Sequence, residues 1–336
     1  MPKFRDTHIA LAHGNGGRMM RELIDELFVP ALANPLLDAS ADAVAMPVPP
    51  DRELVITTDG FTVQPLEFPG GNIGSLAVHG TVNDLAVCGA VPGFMTLSVF
   101  LEEGLEIARL RRVIDALAAA ARSCGVAVVA GDTKVVGRGD CDGIYLAATG
   151  VGFRPRGLRL GLDLLRAGDR VLVSGPVGDH GAAVLLAREE FGLRGELASD
   201  AASVLPQAQA LLSVPGLKFM RDPTRGGLAT VAHEVARASH LGVQLTEALI
   251  PVHESVQSVC ELLGFDALYL ACEGQIVAVV APETADMALA ALRAVAPGAA
   301  LIGELIAGPA RVILDTAFGG QRALDELDDD PLPRIC

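Results

Sequence analysis

The sequence predicts two α/β (α+β) domains followed by a flexible C-terminal tail, on three observations. Strand-like and helix-like stretches alternate, but without the strict strand–helix–strand rhythm of one doubly wound sheet. The pattern breaks once, in the Gly/Arg-rich stretch RPRGLRLGLDLLRAGD at 154–169, and then restarts. Beyond residue 316 the periodicity is lost, and the chain closes with the acidic run DELDDD, two prolines and a terminal Cys336. A length of 336 residues suits two domains of ordinary size. The expected organisation is therefore a domain over 1–154, a second over 155–316, and a mobile tail over 317–336.

RMMRELIDELF (18–28) has apolar residues at helical spacing and follows the glycine-rich loop HGNGG (13–17). ELVITTDGF (53–61) reads as a buried strand running into a loop. NIGSLAVHGTVNDLAVCGA (72–90) predicts a long helix with Gly89 as its C-cap. PGFMTLSVFL (92–101) reads as a strand, EIARLRRVIDALAAAARSCG (106–125) as an amphipathic helix, and VAVVAGDTKV (126–135) and GIYLAATGVGF (143–153) as strands. The second half restarts with RVLVSGPVGDHGAAVLLARE, a strand and then a helix. Helices fit LPQAQALL and GGLATVAHEVARAS. Strands fit QIVAVVA and RVILD, with the helix ETADMALAALRAV between them.

Hydrophobic residues make up 51% of the chain and charged residues 20%, a globular balance. The net charge of -15 argues against a nucleic-acid partner, which requires a basic surface. The longest apolar stretches, such as IVAVVA at 276–281, fall far short of the roughly 20 residues of a membrane span. The N-terminus shows no secretory signal pattern. Cysteines 88, 124, 141, 260, 272 and 336 form no C-x-x-C pair and no zinc-ligand spacing. A cytoplasmic protein with reduced thiols and no membrane partner is expected. The terminal thiol is no prenylation site, because the fourth residue from the end is Pro333.

The familiar nucleotide fingerprints are missing: there is no Walker loop, and HGNGGRMM does not complete G-x-G-x-x-G. What remains is a set of acidic residues in the first half. Asp59 in TTDG and Asp132 in AGDTKV each follow a strand-forming run. Asn83 and Asp84 sit mid-helix, where both compete for backbone hydrogen bonds. Lys134, one of three lysines, follows Asp132 by two residues. Three carboxylates with an amide and an ammonium suit Mg²⁺ and a polyphosphate. Gly14, Gly16 and Gly17 would let backbone N–H groups cover the phosphates. Taken singly, each aspartate is a turn former or cap, and HGNGG a plain loop.

In the second half RDPTRGGL (221–228) leads into a helix whose N–H groups could bind an anion, or which Asp222 or Thr224 caps. GDHGA (178–182) opens another helix. Glu273, in LACEGQIV, is either a partly desolvated base with a raised pKa or an ordinary turn residue. His233 and His240, seven apart on one helix, read as packing or surface groups.

Taken in order, LAHGNGG, TTDG, PGGNIGSLAVHGTVNDLAVCGA, AGDTKVV, SGPVGDHGA, RDPTRGG, ACEG and the terminal PLPRIC resemble the hydrogenase maturation HypE family of the aminoimidazole ribonucleotide synthetase-like (PurM-like) superfamily. The likeness runs from about residue 8 to residue 336; GDTKVV and PRIC belong to the HypE branch. It implies a two-domain PurM-like architecture, a homodimer built through the N-terminal domains, and ATP with Mg²⁺ in a cleft between domains. Asp59, Asn83, Asp84, Asp132 and Lys134 would lie on the metal-triphosphate, with Asp59, Asp84 and Asp132 as metal ligands. It also implies that a carbamoyltransferase, HypF, loads Cys336, that ATP-dependent dehydration makes a thiocyanate, and that an iron-carrying HypC–HypD complex receives the cyano group. Cys336, Lys134 and Glu273 would be catalytic, with Glu273 as base.

A tail of this length reaches at most roughly 66–72 Å, and Pro331 and Pro333 would stiffen its end into an extended rod. The terminal carboxylate disfavours thiolate at Cys336 while Arg334 partly compensates, so the thiol is expected to be activated in the partner's site. Two alternatives stand beside this reading. One is another superfamily enzyme resembling the synthetase or a thiamine-phosphate kinase; the other is a non-catalytic thiol scaffold.

Overall fold

The strand-forming runs of the first half pair into one four-stranded sheet. In this computed structural model residues 6–15, 17–39, 41, 43–188, 197–328, 332 and 334–336 are described. The strands are β1 (Arg52–Phe61), β2 (Val91–Glu102), β3 (Ala127–Val136) and β4 (Ile144–Pro155), in the order β1-β4-β2-β3. Only β2 and β3 are parallel. A parallel pair needs a long crossover, and helix Ile107–Ser123 supplies it.

The predicted helix over 18–28 is α-helical at Arg18–Leu23, widens to a π turn at Ile24–Phe28, and ends as Val29–Leu32. Pro30 has no N–H to offer Glu26, so a regular α-turn there would lack one bond. Helix Ile73–Val87 begins where Asn72 Oδ1 accepts the N–H groups of Gly74 and Ser75. A Cβ on Gly74 would lie 2.2 Å from the Val113 carbonyl oxygen, so only glycine lets the two helices approach this closely. The far end closes as expected: Gly89 has φ 78, and the Ala90 N–H reaches the Leu85 carbonyl.

One expectation fails here. β1 is not buried; its residues alternate between exposed and half-buried until Phe61. It is an edge strand, and Leu54 and Ile56 are 48% and 61% exposed. Nor do Asp59 and Asp132 follow their strands; both lie within them.

The second half builds a seven-stranded sheet from β5 (Arg170–Val173), β6 (Leu217–Arg221), β7 (Gly242–Thr246), β8 (Val277–Val280), β9 (Ala300–Ile306), β10 (Val312–Asp315) and β11 (Gln321–Ala323). Their order is β11-β10-β7-β9-β5-β8-β6, antiparallel except for β10 with β7. Helices Gly227–Ser239 and Ala285–Val295 bury apolar stripes in two separate clusters that include residues of β5, β8 and β9. Chain contacts divide the molecule at Arg156/Gly157. Ala86–Gly89 group with the second unit and Cys336 with the first. Among the described residues, no helix is long and apolar enough to cross a membrane.

The tail departs from its expected featurelessness. A turn at Thr316–Gly320 reverses the chain, and β11 then pairs with β10. Leu324 is buried, its carbonyl accepting from His233 Nε2 (2.9 Å), and Tyr269 Oη donates to the Asp325 carbonyl (2.6 Å). His233 is thus a tail contact, while His240 ends its helix in a left-handed conformation (φ 57). Pro331 and Pro333, the expected stiffeners, lie outside the described residues. At Arg334 the backbone is left-handed (φ 59), so the end is bent there rather than extended.

Candidate active site

In the first unit, the pairing register fixes where the flagged residues stand. Asp59 shares a row with Ala148, Leu97 and Gly131; Asp132 lies one row along, opposite Ser98. Two strands intervene, so the two aspartates are about 14 Å apart measured along the sheet. Among the described residues no three acidic, histidine or cysteine side chains converge to hold a metal. The expected three-aspartate metal set is therefore not gathered at one point. The strands that carry Asp59 and Asp132 are the two outer ones of the sheet.

Instead the residues fall into two groups. Asp84, half-buried on its helix, accepts a 2.6 Å hydrogen bond from Thr57 Oγ1, two residues before Asp59 on β1. Asn83 beside it is 1% exposed. The Asp59 carboxylate accepts from the Gly60 N–H at 2.8 Å. On β3, Lys134 Nζ lies 2.9 Å from Asp132 Oδ2, while Asp132 Oδ1 accepts the Thr133 N–H. Both side chains stand more than half exposed, which leaves the Lys134 ammonium open to an anionic ligand. A Cβ on Gly14 would lie 2.7 Å from the Val135 backbone nitrogen, so the HGNGG loop packs against the strand that carries Asp132 and Lys134. Gly17 precedes the first helix, with open space around it. Gly16 lies outside the described residues. A cavity of about 290 Å³ lies beside Asp132, lined mainly by apolar side chains such as Ile24, Phe28, Leu97 and Val128.

Cys336 is half-buried, and its terminal oxygen accepts from the Thr62 N–H (3.0 Å) and from Thr62 Oγ1 (3.3 Å). Neutral donors thus hold the carboxylate that the sequence suggested would burden the thiol.

In the second unit Glu273 is 2% exposed, against the ordinary-turn alternative. Asp200 shapes its loop: Oδ1 accepts the Glu273 N–H (3.0 Å) and Oδ2 the Gly274 N–H (3.2 Å). A Cβ on Gly274 would sit 1.9 Å from the Asp200 carbonyl oxygen, so glycine is obligatory there. Burial pushes the Asp200 carboxyl up to about 6, against the pull of those N–H bonds. Burial also raises the Cys272 thiol, which accepts the Gly178 N–H.

The helix over 227–239 has Gly226 at its N-cap position, and the Gly227 N–H is met by the Thr224 carbonyl at 3.0 Å. The loop turns through two left-handed glycines, Gly226 and Gly227, and a Cβ at Gly227 would meet the Leu270 carbonyl at 2.5 Å. GDHGA opens helix Asp179–Ala187 without a side-chain cap. Asp179 pairs with His253 Nδ1 (2.9 Å), and burial raises its carboxyl despite that bond. The sequence reading singled out neither Asp200, Thr57, Thr62 nor His180. Thr57 fell within the flagged TTDG and His180 within GDHGA, the latter only as part of a helix opening.

Family models for AIR synthase related proteins match the chain twice, the N-terminal domain at 40–153 and the C-terminal domain at 166–315. Carbamoyl dehydratase HypE of Azotobacter vinelandii is 47% identical to the chain, covering 99% of it and 98% of the relative. The chain belongs to the HypE family. The crystal structure of the hydrogenase maturation protein HypE in complex with ATP aligns with a TM-score of 0.92 at 41% identity, covering 97% of this chain and 99% of that one. A HypE–HypF complex aligns at 0.79 and 40% identity, covering 91% and 99%. The fold is thus the α/β, PurM-like architecture that the motifs implied, and HypE family membership sets thiamine-phosphate kinase and scaffold readings aside.

Proposed function

We propose that this protein is an ATP-dependent carbamoyl dehydratase that acts on its own C-terminus in hydrogenase maturation. It converts the S-carboxamide of Cys336 to a thiocyanate, the source of the cyano ligands of the [NiFe]-hydrogenase iron. The observation that carries this reading is end-to-end likeness to carbamoyl dehydratase HypE in a chain that carries a thiol at Cys336.

An amide oxygen is a poor leaving group. ATP supplies the phosphoryl group that turns it into phosphate, so that R–S–C(=O)NH₂ and ATP yield R–S–C≡N, ADP and phosphate. The nitrogen gives up both of its protons. Lys134, an exposed ammonium, is assigned to the phosphoryl charge. Glu273, buried in its glycine turn, is assigned as the base that takes a nitrogen proton. Gly14 and Gly17 place backbone N–H groups for the phosphates. Thr62 steadies the terminal carboxylate.

Hard oxygen donors with an adjoining exposed ammonium fit Mg²⁺, which takes one or two carboxylates together with water and phosphate oxygens. Asp59 and Asp84, helped by Asn83, would hold one such ion and Asp132 another. Each would neutralise charge on the phosphate groups. Carboxylates spread along the sheet suit Mg²⁺ ions bound at separate points of an extended triphosphate.

Exposed Leu54 and Ile56 on edge strand β1 support a homodimer built through the first unit. HypF would load the carbamoyl group, as the related HypE–HypF complex suggests, and the HypC–HypD complex would take the cyano group on iron. We assign the protein to the cytoplasm, where ATP is available, and keep the tail beyond β11 as the carrier segment.

Intact-mass spectrometry after incubation with HypF, carbamoyl phosphate and ATP tests the reading. The expected record is one carbamoyl group gained on Cys336, then one water lost. An adduct elsewhere, or one that never loses water, would contradict it.

A further inference from the structure

His180 is fully buried in the first turn of helix Asp179–Ala187, 155 positions in sequence from the residue it grips. Its Nε2 lies 2.9 Å from the carbonyl oxygen of Ile335, the penultimate residue. A carbonyl only accepts, so the proton sits on Nε2. Nδ1 faces Ser199 Oγ at 2.7 Å, and that oxygen also accepts the Ala201 N–H (3.0 Å). With the proton on Nε2, Nδ1 of the neutral ring accepts from the Ser199 hydroxyl, which holds the Nε2–H form. Burial agrees, lowering the imidazole to about 4. Around this bond the chain end is pinned further. The Ile335 side chain is 3% exposed, Leu332 is 4% exposed, and Arg188 Nη2 donates to the Arg334 carbonyl at 3.1 Å. The left-handed backbone at Arg334 is a conformation that needs such support.

We propose that His180 is a positioning residue, the latch that holds the Ile335 carbonyl and so sets how long the carrier end stays seated for dehydration. The proposal rests on the reading of Cys336 as the carrier thiol. The grip is on backbone, so it tolerates whatever group the thiol bears while still placing the residue next to it. Its strength must be modest, because the same end has to leave for loading. A single neutral hydrogen bond meets both demands.

Two measurements on the full-length protein test it, comparing the parent with His180→Ala and His180→Gln. The first is the alkylation rate of Cys336, read by mass mapping of the C-terminal peptide. The second is single-turnover loss of water from pre-carbamoylated protein at saturating ATP. His180→Ala is expected to raise alkylation and slow dehydration, each about tenfold. His180→Gln, which keeps an N–H donor, is expected to recover most of both. Alkylation unchanged in His180→Ala, or His180→Gln as impaired as His180→Ala, would overturn the latch. Should His180→Ala not fold, Ser199→Ala leaves the ring in place but frees its tautomer. It should raise Cys336 alkylation, and no rise would count against the proposal. The alkylation arm needs no chemistry at the thiol. A parent that alkylates as a seated thiol but never dehydrates would therefore fault the functional reading and not the latch.

Discussion

Lys134 Nζ lies 2.9 Å from Asp132 Oδ2, two residues earlier on the same strand, with both side chains more than half exposed. A pair so exposed adds little to stability. Its value lies in presenting an ammonium and a carboxylate together on one face of a rigid strand. Lys134→Ala should therefore leave the melting temperature nearly unchanged while slowing single-turnover dehydration about 100-fold or more. Equal turnover by the variant would remove Lys134 from the phosphoryl step.

The 2.6 Å bond from Thr57 to Asp84 predicts a subtler effect. Thr57 touches no ligand in this account; it orients a carboxylate that does. Thr57→Val should weaken Mg·ATP binding about tenfold in calorimetry, and Asp84→Asn should weaken it more. Identical affinities for parent and Thr57→Val would show that Asp84 needs no such support.

Glu273 separates binding from chemistry. Glu273→Gln keeps the size of the buried side chain but cannot accept a proton. ATP affinity should be unchanged while water loss from carbamoylated Cys336 falls about 100-fold or more. Full turnover by the variant would assign the base elsewhere.

Asp200 and His180 predict opposing contributions to stability over one pH range. The Asp200 carboxyl rises from 3.8 to about 6 on burial, so the folded chain binds that proton more tightly and stability falls as pH rises through this window. The His180 imidazole falls from 6.5 to about 4 on burial, so the unfolded chain binds more protons and stability rises with pH there. Between about pH 4.5 and 6.5, Asp200→Asn should melt with a more positive dependence on pH than the parent, and His180→Gln with a less positive one. Reversed slopes would contradict both environments.

How much of this was legible depended on length and locality. Helix Ile107–Ser123 and strand Ile144–Pro155 span many periods and were readable. Leu217–Arg221 and Gly242–Thr246 mix polar with apolar residues and went unread, whereas the shorter Val277–Val280 lies in an apolar run and was read. β1 was readable as a strand but not as an edge, because edge position is a property of the sheet. Asp59, Asp84, Asp132 and Lys134 stood out because motif chemistry is local. That two strands separate Asp59 from Asp132 was not visible, since register is set by pairing. His180 looked like a helix opening because its partner lies at the far end of the chain.

The claim that matters most is that the amide oxygen of the carbamoyl group leaves as phosphate. Protein carbamoylated at Cys336 with an ¹⁸O-labelled carbonyl, given unlabelled ATP, tests it in a single turnover. The account predicts that the label appears in inorganic phosphate as thiocyanate forms. Label released into water, with phosphate unlabelled, would contradict it.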